Sequence, residues 1–202
     1  MLFLYAKLTP TDNLTAHKLQ EFSYLNAMSK SQNQNIGIRI DALTNSIVNT
    51  ISKDSFATEV QLITQKDLKT VNTKTGWQFN WNRESKLPNR KVFKLTIKDN
   101  PNVLQGLVSI SDQNDHIYLH LIESAPFNLG KKKIYEGVPG NLFAFACKTS
   151  WDKGYEGFVS FTSKTKLVEH YQTSLGATHI GGNKMVIFPR EALKLILKYF
   201  SQ

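Results

Sequence analysis

The sequence predicts a mixed α+β fold with an antiparallel meander at its centre, an N-terminal helical extension over residues 1–55, and a main domain over 56–202. Three observations predict it. Between 91 and 124, three strand-length runs are joined by short polar turns. After 140, apolar or amphipathic helical segments alternate with short strand-like runs. Before 56 the dominant spacing is helical.

Taken in order, Met1-Leu2-Phe3-Leu4-Tyr5-Ala6 is too short for a signal-peptide core and reads as a buried strand. Residues 11–32 read as a helix, with Thr11, Asp12 and Asn13 as caps and Leu19, Phe22, Leu25 and Met28 along one face. Ile36-Gly37-Ile38-Arg39-Ile40 alternates like a short strand, and Leu43, Ile47, Val48 and Ile51 suggest a helix over 42–51. The main domain starts with a strand over 58–64 and a helix start at Gln65-Lys66-Asp67-Leu68. The meander follows: 91–97, 104–111 and 116–124, with a turn at 111–115. Then come a helix over 141–148 after Gly137-Val138-Pro139-Gly140, a strand at 158–161, and an amphipathic helix over 164–175 stopped by Gly176. Strands at 178–180 and 184–188 flank a Gly181-Gly182-Asn183 turn, and a last helix runs over 190–200.

Composition bounds the function. Apolar residues make up 41 % of the 202, and charged residues 20 %, a globular balance. No apolar run is long enough to span a bilayer. Cys147 is the only cysteine, which excludes an intramolecular disulfide and a cysteine-based metal cluster; no His/Asp/Glu group has ligand spacing, so no metal is expected. The expectation is a soluble, cytoplasmic protein without a membrane partner. The net charge of +9 suits phosphate-bearing partners. Its largest share lies in 60–100, with nine Lys/Arg against three acids; a second cluster is Lys131-Lys132-Lys133.

A glycine-containing loop entering a helix exposes backbone N–H groups at the positive end of the helix dipole, a ready site for pyrophosphate. Gly137 to Leu142 has that form, with the three lysines just upstream. The order strand, basic glycine loop, helix, strand, helix, Leu-Gly-Ala, strand resembles the GNAT superfamily of acetyl-CoA-dependent N-acyltransferases. Three stretches carry the resemblance, which covers about 56–188. His116 to Ser124 is similar to the family's fourth strand, which ends in a bulge. Gly137-Val138-Pro139-Gly140-Asn141-Leu142-Phe143 is similar to its Gly-Ile-Gly-Ser-Ala-Leu-Leu loop and helix start. Glu169 to Ala177 is similar to its Phe-Tyr-Glu-Lys-Leu-Gly-Phe segment, with one residue inserted. Pro139 departs from the pattern by removing one backbone donor, and Ile134 and Lys164 stand near positions where the family often has polar cofactor contacts.

The resemblance implies a mostly antiparallel central sheet flanked by helices. It also implies acetyl-CoA as co-substrate and direct transfer, in a ternary complex, of an acetyl group to a primary amine. The acceptor could be a small molecule, a peptide or an RNA-borne amine. The implied cofactor-binding residues are Ile122, Ser124, Lys133, Gly137, Val138, Gly140, Asn141 and Leu142. Tyr171 falls at the position of the general acid, and Glu123 is the candidate base for the amine. The backbone N–H groups of 122–124 would polarise the carbonyl. His116 and His120 have the opposite strand parity from Glu123, so they would face another layer unless the bulge shifts the register. Acceptor recognition falls in 65–90, where Trp77 and Trp81 either contact the acceptor or form the apolar side of a hairpin. The alternative function is a non-catalytic or regulatory module that binds CoA or nucleic acid through the basic 60–100 region. The chain is expected to act as a monomer, or as a homodimer through 1–55.

Overall fold

The computed structural model describes residues 35–44 and 46–200, which fall in one compact unit, Gln34–Gln202. The strand read over 1–6 and the helix read over 11–32 lie outside the described residues. The elements are β1 (Ile47–Asn49), β2 (Ser55–Phe56), β3 (Thr58–Leu62), α1 (Gln65–Leu68), α2 (Trp81–Glu84), β4 (Lys91–Ile97), β5 (Asn100–Asp112) and β6 (Ile117–Ser124). After these come β7 (Tyr135–Glu136), α3 (Val138–Asp152), β8 (Val159–Thr162), α4 (Val168–Leu175), β9 (Thr178–His179), β10 (Lys184–Ile187) and α5 (Pro189–Phe200).

Seven strands form the central sheet in the order β3-β4-β5-β6-β8-β10-β9. Every pairing in it is antiparallel except β6 with β8. The expected mixed fold, with a mostly antiparallel sheet flanked by helices, is therefore the one formed. The meander arises because β4, β5 and β6 alternate apolar residues between two covered faces. One face meets α3, α4 and α5, and its core includes Leu95, Val108, Leu119, Leu142, Phe143, Tyr171 and Leu195. The other face carries a smaller core of Leu68, Trp77, Trp81, Val92, Leu107 and Leu121 under α1 and α2. No described helix is long and apolar enough to cross a membrane.

Two local expectations are corrected. Among the described residues no helix forms over 42–51: β1 pairs with β2 and β7 in a separate three-stranded sheet, and Ile36, Ile40 and Ile47 are buried in the main core. The Asn49 side chain accepts from the N–H groups of Ile51 and Ser52, and Lys53 turns at φ 66°, so the polar residues after β1 close a hairpin. Helix α3 begins at Val138 rather than 141, so Pro139 and Gly140 sit in its first turn and Gly137, at φ 88°, is its N-cap. Proline suits a first turn because its missing N–H would have no intrahelical partner there.

Candidate active site

Strands β6 and β8 run in parallel only at Ile117–Val159, Tyr118–Ser160 and Leu119–Phe161. Beyond Leu119 their pairing stops. At the end of β8 a new neighbour takes over: Ile36 bridges Ser163, its N–H donates to Thr162 O (2.6 Å), and Lys164 N–H donates to its carbonyl (2.8 Å).

The bulge lies earlier than expected. Ser109 pairs with Leu121 and Ile110 with Leu119, which leaves His120 as the extra residue, two positions before Ile122. An extra residue reverses the inward–outward alternation downstream. His120 therefore shares the α2 side of the sheet with Glu123, contrary to simple parity. His120 meets the Ser111 hydroxyl (2.7 Å), and Glu123 meets Trp81. Burial, and then the charge of Arg90, hold His120 down at about 3.

Glu123 is 4 % exposed. Its Oε1 accepts from Gln78 N–H (2.6 Å) and its Oε2 from Trp81 Nε1–H (2.7 Å). Burial raises its pKa, and these N–H donors oppose the rise. Trp77 and Trp81 are themselves core residues; Trp81 reaches the site through its indole N–H and shows no surface to a ligand. A cavity of about 160 Å³ opens beside Glu123, between Ile122–Ser124 on one wall and Gly37, Ile38 and Arg39 on the other, with Gln78 and Lys164 at its edge.

Tyr171 is fully buried, and its hydroxyl donates to the Ile38 carbonyl. Burial raises its pKa. The next residue back, His170, accepts the Ile40 N–H at Nε2 (2.8 Å), so its ring is neutral with the proton on Nδ1; burial and Arg39 lower its pKa.

The first turn of α3 is covered. Gly137 N–H donates to Asp41 Oδ1 (3.1 Å), and Lys133 Nζ meets Asp41 Oδ2 at 2.8 Å. A Cβ on Gly140 would overlap the Tyr199 hydroxyl and Leu43, and one on Gly137 would overlap Thr44. Val138, Asn141 and Leu142 are buried, and Asn141 Oδ1 has no hydrogen-bond partner. In this arrangement the loop does not fit a pyrophosphate, because residues 41–44 already fill its cradle. Lys131 and Lys132 remain exposed beside it.

The structure thus brings Glu123, Ile122, Ser124 and residues 37–39 to one cavity, with Tyr171 bound to the same 37–39 segment. It holds Gly137 and Lys133 together through Asp41. The sequence does not mark residues 36–41 or Gln78 as site residues; its one signal is Gly37 interrupting three isoleucines, and in the structure the Lys164 side chain crosses that glycine.

No protein-family model matches the chain, and no curated protein matches it. Among solved structures it is similar to a spermidine N-acetyltransferase from Vibrio cholerae in complex with CoA and spermine. That likeness has 16 % identity over 67 % of this chain and 98 % of that chain, with a TM-score of 0.46. It is also similar to FeeM, an N-acyl amino acid synthase from uncultured soil microbes, at 12 % identity over 70 % of this chain and 95 % of that one, TM-score 0.46.

Proposed function

We propose that the chain is an N-acetyltransferase of the superfamily it resembles, taking the acetyl group from acetyl-CoA and passing it to a primary amine. The observation that supports this reading best is the parting of β6 and β8 after Leu119–Phe161, with Glu123 on one wall of the opening and Tyr171 on the other side. When bound, acetyl-CoA would supply the activated acyl carbon. Glu123, nearly buried at the cavity wall and with a raised pKa, takes a proton from the incoming amine. Tyr171 holds a proton at Oη that its raised pKa retains through the physiological range. Backbone N–H groups near Ile122 orient the carbonyl. In this reading Gly137, Val138, Gly140, Asn141 and Leu142 would form the phosphate end, and Lys133 would attract it, only once residues 41–44 have left the cradle they fill.

The test measures free thiol released from acetyl-CoA by the full chain across small amines, lysine peptides and aminoacyl-RNA. Amine-dependent release is expected, and Glu123→Gln lowers kcat by about 100-fold or more. Absence of amine-dependent transfer overturns the enzyme reading.

A non-catalytic module is the second reading, and the filled cradle favours it. The basic region offers it a surface: a hollow of about 400 Å³ is lined by Asn80, Asn82, Arg83, Lys86 and Leu87. Among the described residues, Lys94 pairs with Asp67 and Arg90 with Glu84. Binding to RNA that weakens steeply with salt, without acetyl transfer, would support this module over the enzyme.

A further inference from the structure

Three residues that the acyltransferase reading gives to the cofactor are each occupied by one stretch of this chain. Tyr171, read as the acid for the departing thiolate, donates to the Ile38 carbonyl. Gly137, read as part of the pyrophosphate loop, donates to the Asp41 carboxylate, and Lys133 pairs with the same carboxylate at 2.8 Å. In the acyltransferase reading the reacting end of a bound cofactor would lie at residue 38 and its anion at residue 41. Between them Ile40 N–H donates to His170, and before them Ile36 makes a single parallel bridge to the end of β8.

We infer that residues 36–41 are a built-in stand-in for the extended arm and first phosphates of an acyl-CoA, and that they leave the groove, taking Leu43 and Thr44 off Gly140 and Gly137, when the cofactor binds. The inference rests on the acyltransferase reading. A peptide in an extended conformation and a pantetheine arm offer the same chemistry to a sheet edge: amide donors and acceptors along a thin, nearly straight chain. A carboxylate at a helix N-terminus with a lysine against it satisfies the same donors as a phosphate. Ile36 and Ile40 are buried in the main core, so departure of the segment uncovers both side chains, and past it Ile47 is fixed in β1. The 160 Å³ cavity beside Glu123 lies at the Ile38 end of the segment. A protein whose binding-competent form is a minor population binds more weakly by that fraction, so the segment sets the apparent affinity for acetyl-CoA.

The experiment pairs calorimetry with hydrogen exchange on the full chain. Asp41→Ala removes the carboxylate from Gly137 and Lys133 and is expected to tighten acetyl-CoA binding about tenfold. Asp41→Asn, which keeps the shape and loses the charge, gives a smaller gain in the same direction. In the wild type, acetyl-CoA should speed amide exchange across 36–42 while slowing it across 137–142, a readout that needs no variant. If acetyl-CoA binds the wild type with exchange across 36–42 unchanged or slowed, the stand-in is overturned and the acyltransferase reading survives. Wild type and variants that all fail to bind acetyl-CoA at millimolar concentration overturn both.

Discussion

At the scale of single residues, Glu123 is the most constrained group in the candidate site. Both its oxygens accept N–H donors, one from the backbone of Gln78 and one from the indole of Trp81. Burial favours the neutral acid, and the two donors favour the carboxylate. Trp81 is thus a positioning residue that acts through Glu123. Trp81→Phe keeps most of the ring in the core and deletes one donor, so the carboxyl pKa rises further. Below its pKa the group cannot accept a proton. The acid limb of kcat/KM for acetyl transfer should therefore move to higher pH, with little change in kcat on the alkaline plateau. A drop in rate at every pH without a shift of the limb would mean that Trp81 only supports the fold.

At the scale of elements, the approach of α3 to the sheet decides where its first turn sits. Gly106 in β5 lies beneath that turn: a Cβ there would come within 2.8 Å of Val138 Cγ1, 3.0 Å of the Glu123 carbonyl oxygen and 3.0 Å of Leu142 Cδ1. Gly106→Ala must push the helix away or distort β6, at a cost of about 1–3 kcal/mol in urea unfolding. A change below about 0.5 kcal/mol would show that the contact relaxes freely. The sequence makes most of this architecture legible, because β4 to β6 keep a period of two between their bulges and the Gly176 C-cap, at φ 67°, is a local signal. It misleads at 42–51, where Ile51 completes a helical spacing yet is 90 % exposed in a hairpin turn. Local periodicity records which residues are apolar, and only tertiary contact decides which of them are covered. For the same reason the alternation of 36–40 reads as a strand, whereas only Ile36 makes a bridge there, and it does not announce its neighbours. Those neighbours, β8 and the first turn of α3, lie more than 95 residues along the chain. His120 is a third case: a bulge is a mismatch between two strands, and neither strand displays it alone.

At the scale of the whole molecule, acid acts on the two faces of the sheet through different groups. On the α2 face, His120 is 8 % exposed and bonded to Ser111, with a pKa pushed down to about 3 by burial and by Arg90. On the other face, His170 accepts from Ile40 and also has a lowered pKa. A histidine with a depressed folded pKa takes its proton first in the unfolded chain. Its contribution is complete above the unfolded value of 6.5 and declines as pH falls below it. Asp67 and Asp112 also have depressed pKa values: burial opposes the lowering of Asp67, which Thr64 and Lys94 produce, and Lys153 leads that of Asp112. Their contributions are lost only at lower pH, as it falls through their folded values from the ordinary 3.8. Acid should therefore weaken the fold in two stages, histidines first. Between pH 7.5 and 5, protonation of His120 in the unfolded chain alone lowers the unfolding free energy by about 2 kcal/mol. Urea unfolding at the two pH values measures the drop, and His120→Gln, which cannot titrate, should remove most of it. Equal pH dependence in wild type and variant would locate the acid sensitivity elsewhere. His170→Gln then separates the faces: a neutral side chain that still offers an acceptor to Ile40 should leave exchange across 36–42 slow at pH 5, where the wild type loosens.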